Sequence, residues 1–138
     1  MAMVKIALLL CVTMSCIGTS YSVIDAHDPL INCHGLVWPE KLTKEERKVL
    51  KPLIQSGWTL VNDGNAIRKN LDFKEFGDAA AFMTKVGLKV NSVCHYPLLE
   101  NLYKRVNVTL YTWSKDGITM NDVALAKFID VAAALFLP

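Results

Sequence analysis

The chain has 138 residues, a formal net charge of +2 and 52% hydrophobic residues, which suffices for one domain with a hydrophobic core. Its basic residues are spread along the sequence and form no basic stripe, so composition argues against a nucleic-acid-binding protein. Two of its four cysteines lie within the first 22 residues, which leaves too few for a small domain held together by a disulfide framework.

The first 22 residues predict a secretory signal peptide. A single charge, Lys5, precedes an apolar run over residues 6–17, and a Ser-Tyr-Ser sequence ends at Ser22. As a helix the run would measure about 18 Å, well short of the ~30 Å hydrocarbon core of a membrane. We therefore expect cleavage before Val23, secretion, and no membrane association afterwards. The alternatives are an uncleaved N-terminal anchor and targeting to an organelle, although this stretch lacks the arginines of a mitochondrial presequence.

Residues 23–40 predict an irregular extension, because prolines and a glycine interrupt any periodic pattern. Four residues of types that bind metals lie in it: His27, Asp28, Cys33 and His34. Their spacing matches no strong zinc template, so we predict no metal site and interpret them as solvated linker residues.

The cysteines outside the signal peptide are Cys33 and Cys94. An oxidising compartment would allow them to form a disulfide bond. Two unpaired thiols are an equally open alternative at this point.

The folded domain is predicted over residues 41–138. Thr43 and Glu46 match a capping box, which opens a helix whose apolar spacing ends at Gly57. Two strands follow over residues 58–61 and 66–73. The tetrad Asn-Asp-Gly-Asn between them predicts a hairpin, because these residue types tolerate the positive φ of a tight turn.

A second helix is predicted from residue 73 or 74 to residue 93, where apolar residues recur at the three- and four-residue steps of a buried face. Two more strands are predicted over residues 102–106 and 108–113, and a last helix over residues 121–135. The resulting order, α-β-β-α-β-β-α, predicts an α+β two-layer sandwich. In it a four-stranded antiparallel sheet is covered by helices on one face.

His95 is the one histidine inside the patterned domain, and it lies in a loop just before Pro97. Side chains on such a loop can point into a cleft, and imidazole is the group best suited to proton transfer near neutral pH. No second histidine or carboxylate is adjacent, so hydrolase and metal-site hypotheses lack their other parts. The alternative is a structural or surface histidine.

Short motifs spread over residues 41–134 follow one another at fixed spacing. They are Leu42-Thr-Lys-Glu-Glu-Arg47, Gly57-Trp58, Ala66-Ile67, Phe73-Lys-Glu-Phe76, Phe82-Met-Thr-Lys-Val86, His95-Tyr-Pro97, Thr109-Leu110 and Gly117-Ile-Thr-Met-Asn-Asp122. Each motif is weak alone, but their order and spacing together resemble the pterin-4a-carbinolamine dehydratase family. The family's fold is the sandwich predicted above.

The resemblance implies a hydro-lyase. Family members dehydrate 4a-hydroxytetrahydrobiopterin to quinonoid dihydrobiopterin during the recycling of tetrahydrobiopterin, by general acid–base catalysis and without a cofactor or metal. It also implies a homo-oligomer, either a dimer or a tetramer. Some relatives are dimerisation cofactors of transcription factors, a role that a signal peptide argues against here.

The resemblance also implies site residues. Catalysis is expected from His95, Tyr96 and Trp113, with Tyr103 at the family's aromatic position. The expected pterin contacts are Cys94, His95, Tyr96, Pro97, Tyr111, Thr112, Trp113, Ser114 and Asp122. Asn91 and Tyr96 depart from the family pattern, which has a charged residue and a second His or Asn there. A phenol can donate a proton to a departing hydroxide but is a poor base at neutral pH.

Because the site implied by the resemblance has a single imidazole, three functions are open: a dehydratase of normal or reduced activity, an inactive module that binds a pterin or a protein, and a secreted structural domain without a ligand. Asn107 lies in an Asn-Val-Thr sequon at the predicted junction of the third and fourth strands. It is therefore a glycosylation candidate if the chain enters the secretory pathway.

Overall fold

The structure, a computed structural model, describes Cys33 and residues 35–138. The predicted signal peptide and residues 23–32 of the predicted extension lie outside the described residues, as do three of the candidate metal ligands, His27, Asp28 and His34. Within the described part of the chain, no helix has the length and apolar character needed to cross a membrane.

The elements follow the predicted order. A 3₁₀ turn leads into the first helix, and the elements are the turn Glu46–Leu50, α1 (Lys51–Gln55), β1 (Thr59–Val61), β2 (Ala66–Asp72), α2 (Phe76–Val93), β3 (Leu98–Leu102), β4 (Arg105–Leu110), a 3₁₀ turn Trp113–Lys115 and α3 (Met120–Ala133). The strands form one four-stranded antiparallel sheet in the order β1-β2-β4-β3. The α+β sandwich predicted from the sequence is confirmed.

The alternation of burial along β4 identifies the covered face of the sheet. Val106, Val108 and Leu110 are fully buried, whereas the intervening Asn107 and Thr109 keep partial exposure. The buried side chains of β4 belong to one hydrophobic core that the helices share. Burying one such Val or Leu side chain contributes about 1.5–3 kcal/mol, so this core fixes α2 and α3 against the sheet.

The capping box predicted near the start of the domain is present, and the helices near it differ from the prediction in detail. The backbone N–H of Thr43 donates to Glu46 Oε2 at 2.8 Å, and Glu46 N–H donates to Thr43 Oγ1 at 3.3 Å. The bond from the Thr43 backbone is the main cause that lowers the pKa of Glu46. The helix they open begins as a 3₁₀ turn, and α2 begins later than predicted because Glu75 before it is extended, at φ −145°.

The predicted boundaries of the third and fourth strands are wrong. The strands are β3 and β4, and the turn between them is Tyr103-Lys104, so Asn107 lies inside β4 and not at a strand junction. Tyr103 has a φ of 54°, a left-handed conformation that the sequence did not signal because no Gly, Asn or Asp occupies the turn. The Asn101 side-chain amide compensates by donating to the carbonyls of Tyr103 and Arg105, each at 3.0 Å.

Cys33 and Cys94, which are 61 positions apart in sequence, form a disulfide bond with their Cα atoms 5.7 Å apart. This decides between the two alternatives left open above, and it removes the Cys33 sulfur from the candidate metal ligands. A cross-link closing a loop of this length stabilises a folded chain by about 4 kcal/mol in the chain-entropy treatment. The bond also fixes Cys33 to the end of α2.

Candidate active site

The predicted site residues come from two loops at one end of the sheet. The first loop follows α2, which ends at Cys94 in a left-handed conformation with φ 52°. Such a residue reverses the chain at a helix end, a place usually taken by glycine. The second loop follows β4 and is closed where Thr112 N–H donates to the carbonyl of Gly117 at 2.9 Å. The site therefore lies where the chain leaves α2 and where it enters α3.

A buried His–Asp pair joins the two loops. His95 Nε2 lies 2.7 Å from Asp122 Oδ1, and both residues are buried, Asp122 completely. An ionised carboxylate can only accept hydrogen bonds, so the hydrogen-bond network assigns the ring hydrogen to Nε2. In neutral His95 the basic lone pair is then on Nδ1.

Asp122 holds His95 because α3 begins beside it. Asp122 Oδ2 accepts hydrogen bonds from the backbone N–H of Thr119 at 2.8 Å and from the Thr112 hydroxyl at 2.7 Å. The first of these bonds is half of a capping box at the start of α3, where a negative charge is favoured by the helix dipole. One carboxylate thus caps the helix, ties down the second loop and orients the imidazole.

A cleft of about 300 Å³ opens beside this pair. All the predicted pterin contacts line it except Pro97 and Asp122, and Asp122 lies behind His95. A broader cleft of about 540 Å³ shares Tyr96, Tyr111 and Trp113 with it and extends to the β1–β2 turn. The structure thus brings the two predicted loops together around one concave surface.

The cleft is rich in aromatic surface. Trp113 is 84% exposed and Tyr96 is 56% exposed, so both rings are available to a ligand. The Trp113 ring meets Tyr111 edge-on at 5.1 Å between centroids. The Tyr111 hydroxyl donates to the Asp116 carboxylate, and this bond raises the pKa of Tyr111, so its phenol stays neutral at physiological pH. Exposed aromatic rings beside a buried acid–base pair suit a flat, heteroaromatic ligand.

Two outcomes were not anticipated from the sequence. Trp38, predicted to be part of the irregular extension, lies with its ring centroid 5.6 Å from that of His95 and lines the cleft. The signal that could have found it is the pairing of Cys33 with Cys94, the neighbour of His95. Tyr103, by contrast, lies in the β3–β4 turn, at the opposite end of these strands from the cleft.

Comparison with known proteins identifies the family of this domain. The sequence model of the family described as pterin 4 alpha carbinolamine dehydratase matches residues 40–132, more than half of the chain. A relative from Burkholderia orbicola, provisionally named a pterin-4-alpha-carbinolamine dehydratase, is 46% identical over 95 residues, covering 68% of this chain and 91% of the relative. One from Burkholderia vietnamiensis, with the same name, is 44% identical over 98 residues, covering 71% and 95%.

A solved structure from Brucella melitensis, titled a transcriptional coactivator/pterin dehydratase, superposes with a TM-score of 0.64 at 35% identity. The match covers 68% of this chain and 99% of that one. The family match, over residues 40–132, includes both site loops and the whole sheet. The chain therefore belongs to the pterin-4a-carbinolamine dehydratase family.

Proposed function

We propose that this protein dehydrates 4a-hydroxytetrahydrobiopterin to quinonoid dihydrobiopterin in the recycling of tetrahydrobiopterin. Membership of the family supports the reaction, and the chain spans 91% of the Burkholderia orbicola relative. The observation that carries the proposal is the buried His95–Asp122 pair at the edge of the aromatic cleft. It supplies an oriented base where a flat ligand can lie.

The reaction breaks an N–H bond and a C–O bond and makes a C=N bond. The proton on ring nitrogen N5 passes to His95 Nδ1, the electron pair forms the N5=C4a double bond, and the 4a-hydroxyl leaves. Asp122 stabilises the imidazolium that forms, because its charge lies 2.7 Å from Nε2. The departing hydroxyl takes a proton from the phenol of Tyr96 and leaves as water, and proton exchange with solvent resets both side chains.

We assign binding of the pterin ring to the aromatic residues of the cleft, Trp113 and Tyr111. The exposed face of Trp113 stacks on the pterin, and Tyr111 supports that ring from its edge. The indole N–H of Trp113 only donates hydrogen bonds, so Trp113 contributes contact and orientation and no basic group.

The second candidate function is a pterin-binding module without catalysis. It is favoured by a specific observation, namely that Tyr96 occupies the place of the second His or Asn of the family pattern and that its ring is mostly exposed. A phenol in that place can assist the leaving group but cannot share the role of His95 as a base.

The test is the rate at which the purified protein converts 4a-hydroxytetrahydrobiopterin. We expect a saturable acceleration above the spontaneous rate that is unaffected by a metal chelator, since no residue of the proposed mechanism binds a metal. Folded protein that gives no acceleration, but whose melting temperature rises with 7,8-dihydrobiopterin, would identify the binding module instead. If neither effect is seen, both functions are wrong.

We also propose that the chain is exported, with residues 1–22 removed as a signal peptide. The Cys33–Cys94 disulfide supports an oxidising compartment, where such bonds persist. Mass spectrometry of the protein secreted by expressing cells should show an N-terminus at Val23, and a loss of mass on deglycosylation would place a glycan on Asn107. Recovery of the uncleaved chain from cell membranes would contradict this and indicate an anchor.

Assembly is expected to follow the family. We propose a homo-oligomer, a dimer or a tetramer, which light scattering coupled to size-exclusion chromatography would resolve. A glycan on Asn107 bears on this, because Asn107 lies in the middle of the sheet face that the helices leave open, across from Asn70 and Glu100. An occupied site there excludes assembly through that face.

A further inference from the structure

We infer that one of the described residues just before the family domain takes part in binding the substrate. We call Cys33 and residues 35–41 the N-terminal strap, and we propose that Trp38 on this strap contacts the bound pterin. The inference rests on the proposed function and deepens it, because residue 38 lies outside the residues that match the family. It adds a substrate contact that the family pattern does not contain.

The strap is fixed at its first end to the loop that carries the base. The disulfide joins Cys33 to Cys94, which directly precedes His95 in the chain. Cys94 is buried, so the bond holds the strap against the wall of the cleft.

Its second end is fixed to the other site loop. Glu40 forms an ion pair with Lys115, and Lys41 Nζ donates to the carbonyl of Asp116 at 2.6 Å. Directly after the strap, Leu42 N–H donates to the carbonyl of Ile118 at 2.8 Å. The Lys41 side chain also lies so close to Gly117 that a Cβ there would come within 2.5 Å of Lys41 Cε. The strap therefore spans the two loops between which the cleft opens.

Trp38 lies between these attachments with its ring turned inward. Its centroid is 5.6 Å from that of His95 with the planes at 48°, and its side chain lines the same cleft as Trp113. The neighbouring Val37 is 95% exposed, so the strap directs one of two adjacent side chains to the cleft and the other to solvent.

In this position Trp38 can assist both binding of the pterin and the chemistry at His95. A pterin is flat and aromatic, and a second indole adds stacking or edge contact to that of Trp113. An indole beside His95 also keeps water away from the imidazole while the ligand is bound, which strengthens the interaction of its charged form with Asp122.

The experiment compares the full protein, with its disulfide intact, with Trp38→Ala, Trp38→Phe and Val37→Ala variants. Dissociation constants for 7,8-dihydrobiopterin, which lacks the 4a-hydroxyl, are measured by calorimetry, and KM and kcat for dehydration by absorbance. We expect Trp38→Ala to raise Kd and KM about tenfold with a smaller change in kcat. Trp38→Phe keeps an aromatic ring and should retain most of the affinity, and Val37→Ala should match the wild type.

Reduction of the Cys33–Cys94 disulfide, which frees the first end of the strap, provides a second and independent test of the inference. Dithiothreitol reduces the disulfide to two thiols and is itself oxidised to a cyclic disulfide. Treatment should raise Kd in the wild type by a factor similar to that of Trp38→Ala, and should add little in the Trp38→Ala variant. The Cys33→Ser variant should behave as the reduced protein does.

Two results would overturn this inference and leave the proposed function standing, provided that the wild-type protein binds the dihydropterin and accelerates dehydration. One is an unchanged Kd in Trp38→Ala, and the other is tighter binding in that variant, which would mean that Trp38 obstructs the cleft. A wild-type protein that neither binds the dihydropterin nor accelerates dehydration would overturn the proposed function and the inference together. Melting temperatures of the variants separate loss of contact from loss of fold.

Discussion

Replacing His95 by alanine is expected to lower kcat/KM for dehydration by about 10²–10⁴-fold, the usual contribution of a positioned acid–base group. The physical reason is that the mechanism has a single imidazole. Asp122 cannot replace it as the base, because that carboxylate is completely buried behind His95 and already accepts hydrogen bonds from the Thr112 hydroxyl and the Thr119 backbone N–H. The measurement is the dehydration rate beside the spontaneous rate at the same pH.

The matched control is His95→Gln. The terminal amide of glutamine can donate to Asp122 Oδ1 as Nε2 does, but it has no basic nitrogen in the place of Nδ1. We expect this variant to keep most of the stability of the wild type and to lose as much activity as His95→Ala. A His95→Gln variant that retains the wild-type rate would show that His95 is structural.

Tyr96→Phe tests the proposed acid in the same assay. Its hydroxyl is on an exposed ring, so its removal should leave the fold and the stacking surface unchanged. A loss of activity smaller than that of His95→Ala is expected, because water in the open cleft can protonate the leaving hydroxyl in its place.

The sequence predicted those elements that carry their own local signals. The apolar spacing of α2 and the Asn-Asp-Gly turn between β1 and β2 are such signals, and both features are present. The β3–β4 turn carries none, because it is stabilised by bonds from Asn101 to backbone carbonyls on either side of Lys104. These are side-chain-to-backbone bonds that form only in the folded turn, and a single Asn two residues before it is too weak a sequence signal to place the turn.

In the site, too, features with a local sequence signal were predicted, whereas contacts that depend on tertiary packing were not. Family spacing identified His95 and Asp122 separately, and the capping box at the start of α3 is legible from Thr119 and Asp122. Their meeting across 27 positions is a tertiary contact, produced by the packing of α2 and α3 on one sheet face. Trp38 was missed for a related reason, since a disulfide and three contacts with the second loop place it there, and periodicity reports on none of these.

Asp122→Ala is expected to lower the free energy of unfolding by about 3–5 kcal/mol, the range seen when one partner of a buried, charged network is removed. The variant leaves the Thr119 N–H, the Thr112 hydroxyl and His95 Nε2 without their acceptor in a buried place. Each unsatisfied group costs about 1–3 kcal/mol, and loss of the helix cap adds about 1 kcal/mol, partly offset as the structure relaxes. Urea denaturation followed by circular dichroism measures the change.

Activity should fall further than stability explains, because Asp122 also fixes the tautomer of His95. Asp122→Asn separates the two effects: it keeps the volume of the side chain but removes the charge that stabilises the imidazolium, and we expect kcat to fall at least about 100-fold in a protein that is still folded.

The matched control is Asp130→Asn on the same helix. Asp130 accepts from Trp58 Nε1 at 2.9 Å and from Lys69 Nζ at 2.7 Å, so it too is a structural acceptor, but it is remote from the cleft residues. Asp130→Asn should destabilise the fold and leave kcat near that of the wild type. If folded Asp122→Asn turns over as fast as Asp130→Asn, the carboxylate of Asp122 serves the fold alone, and His95 acts without it.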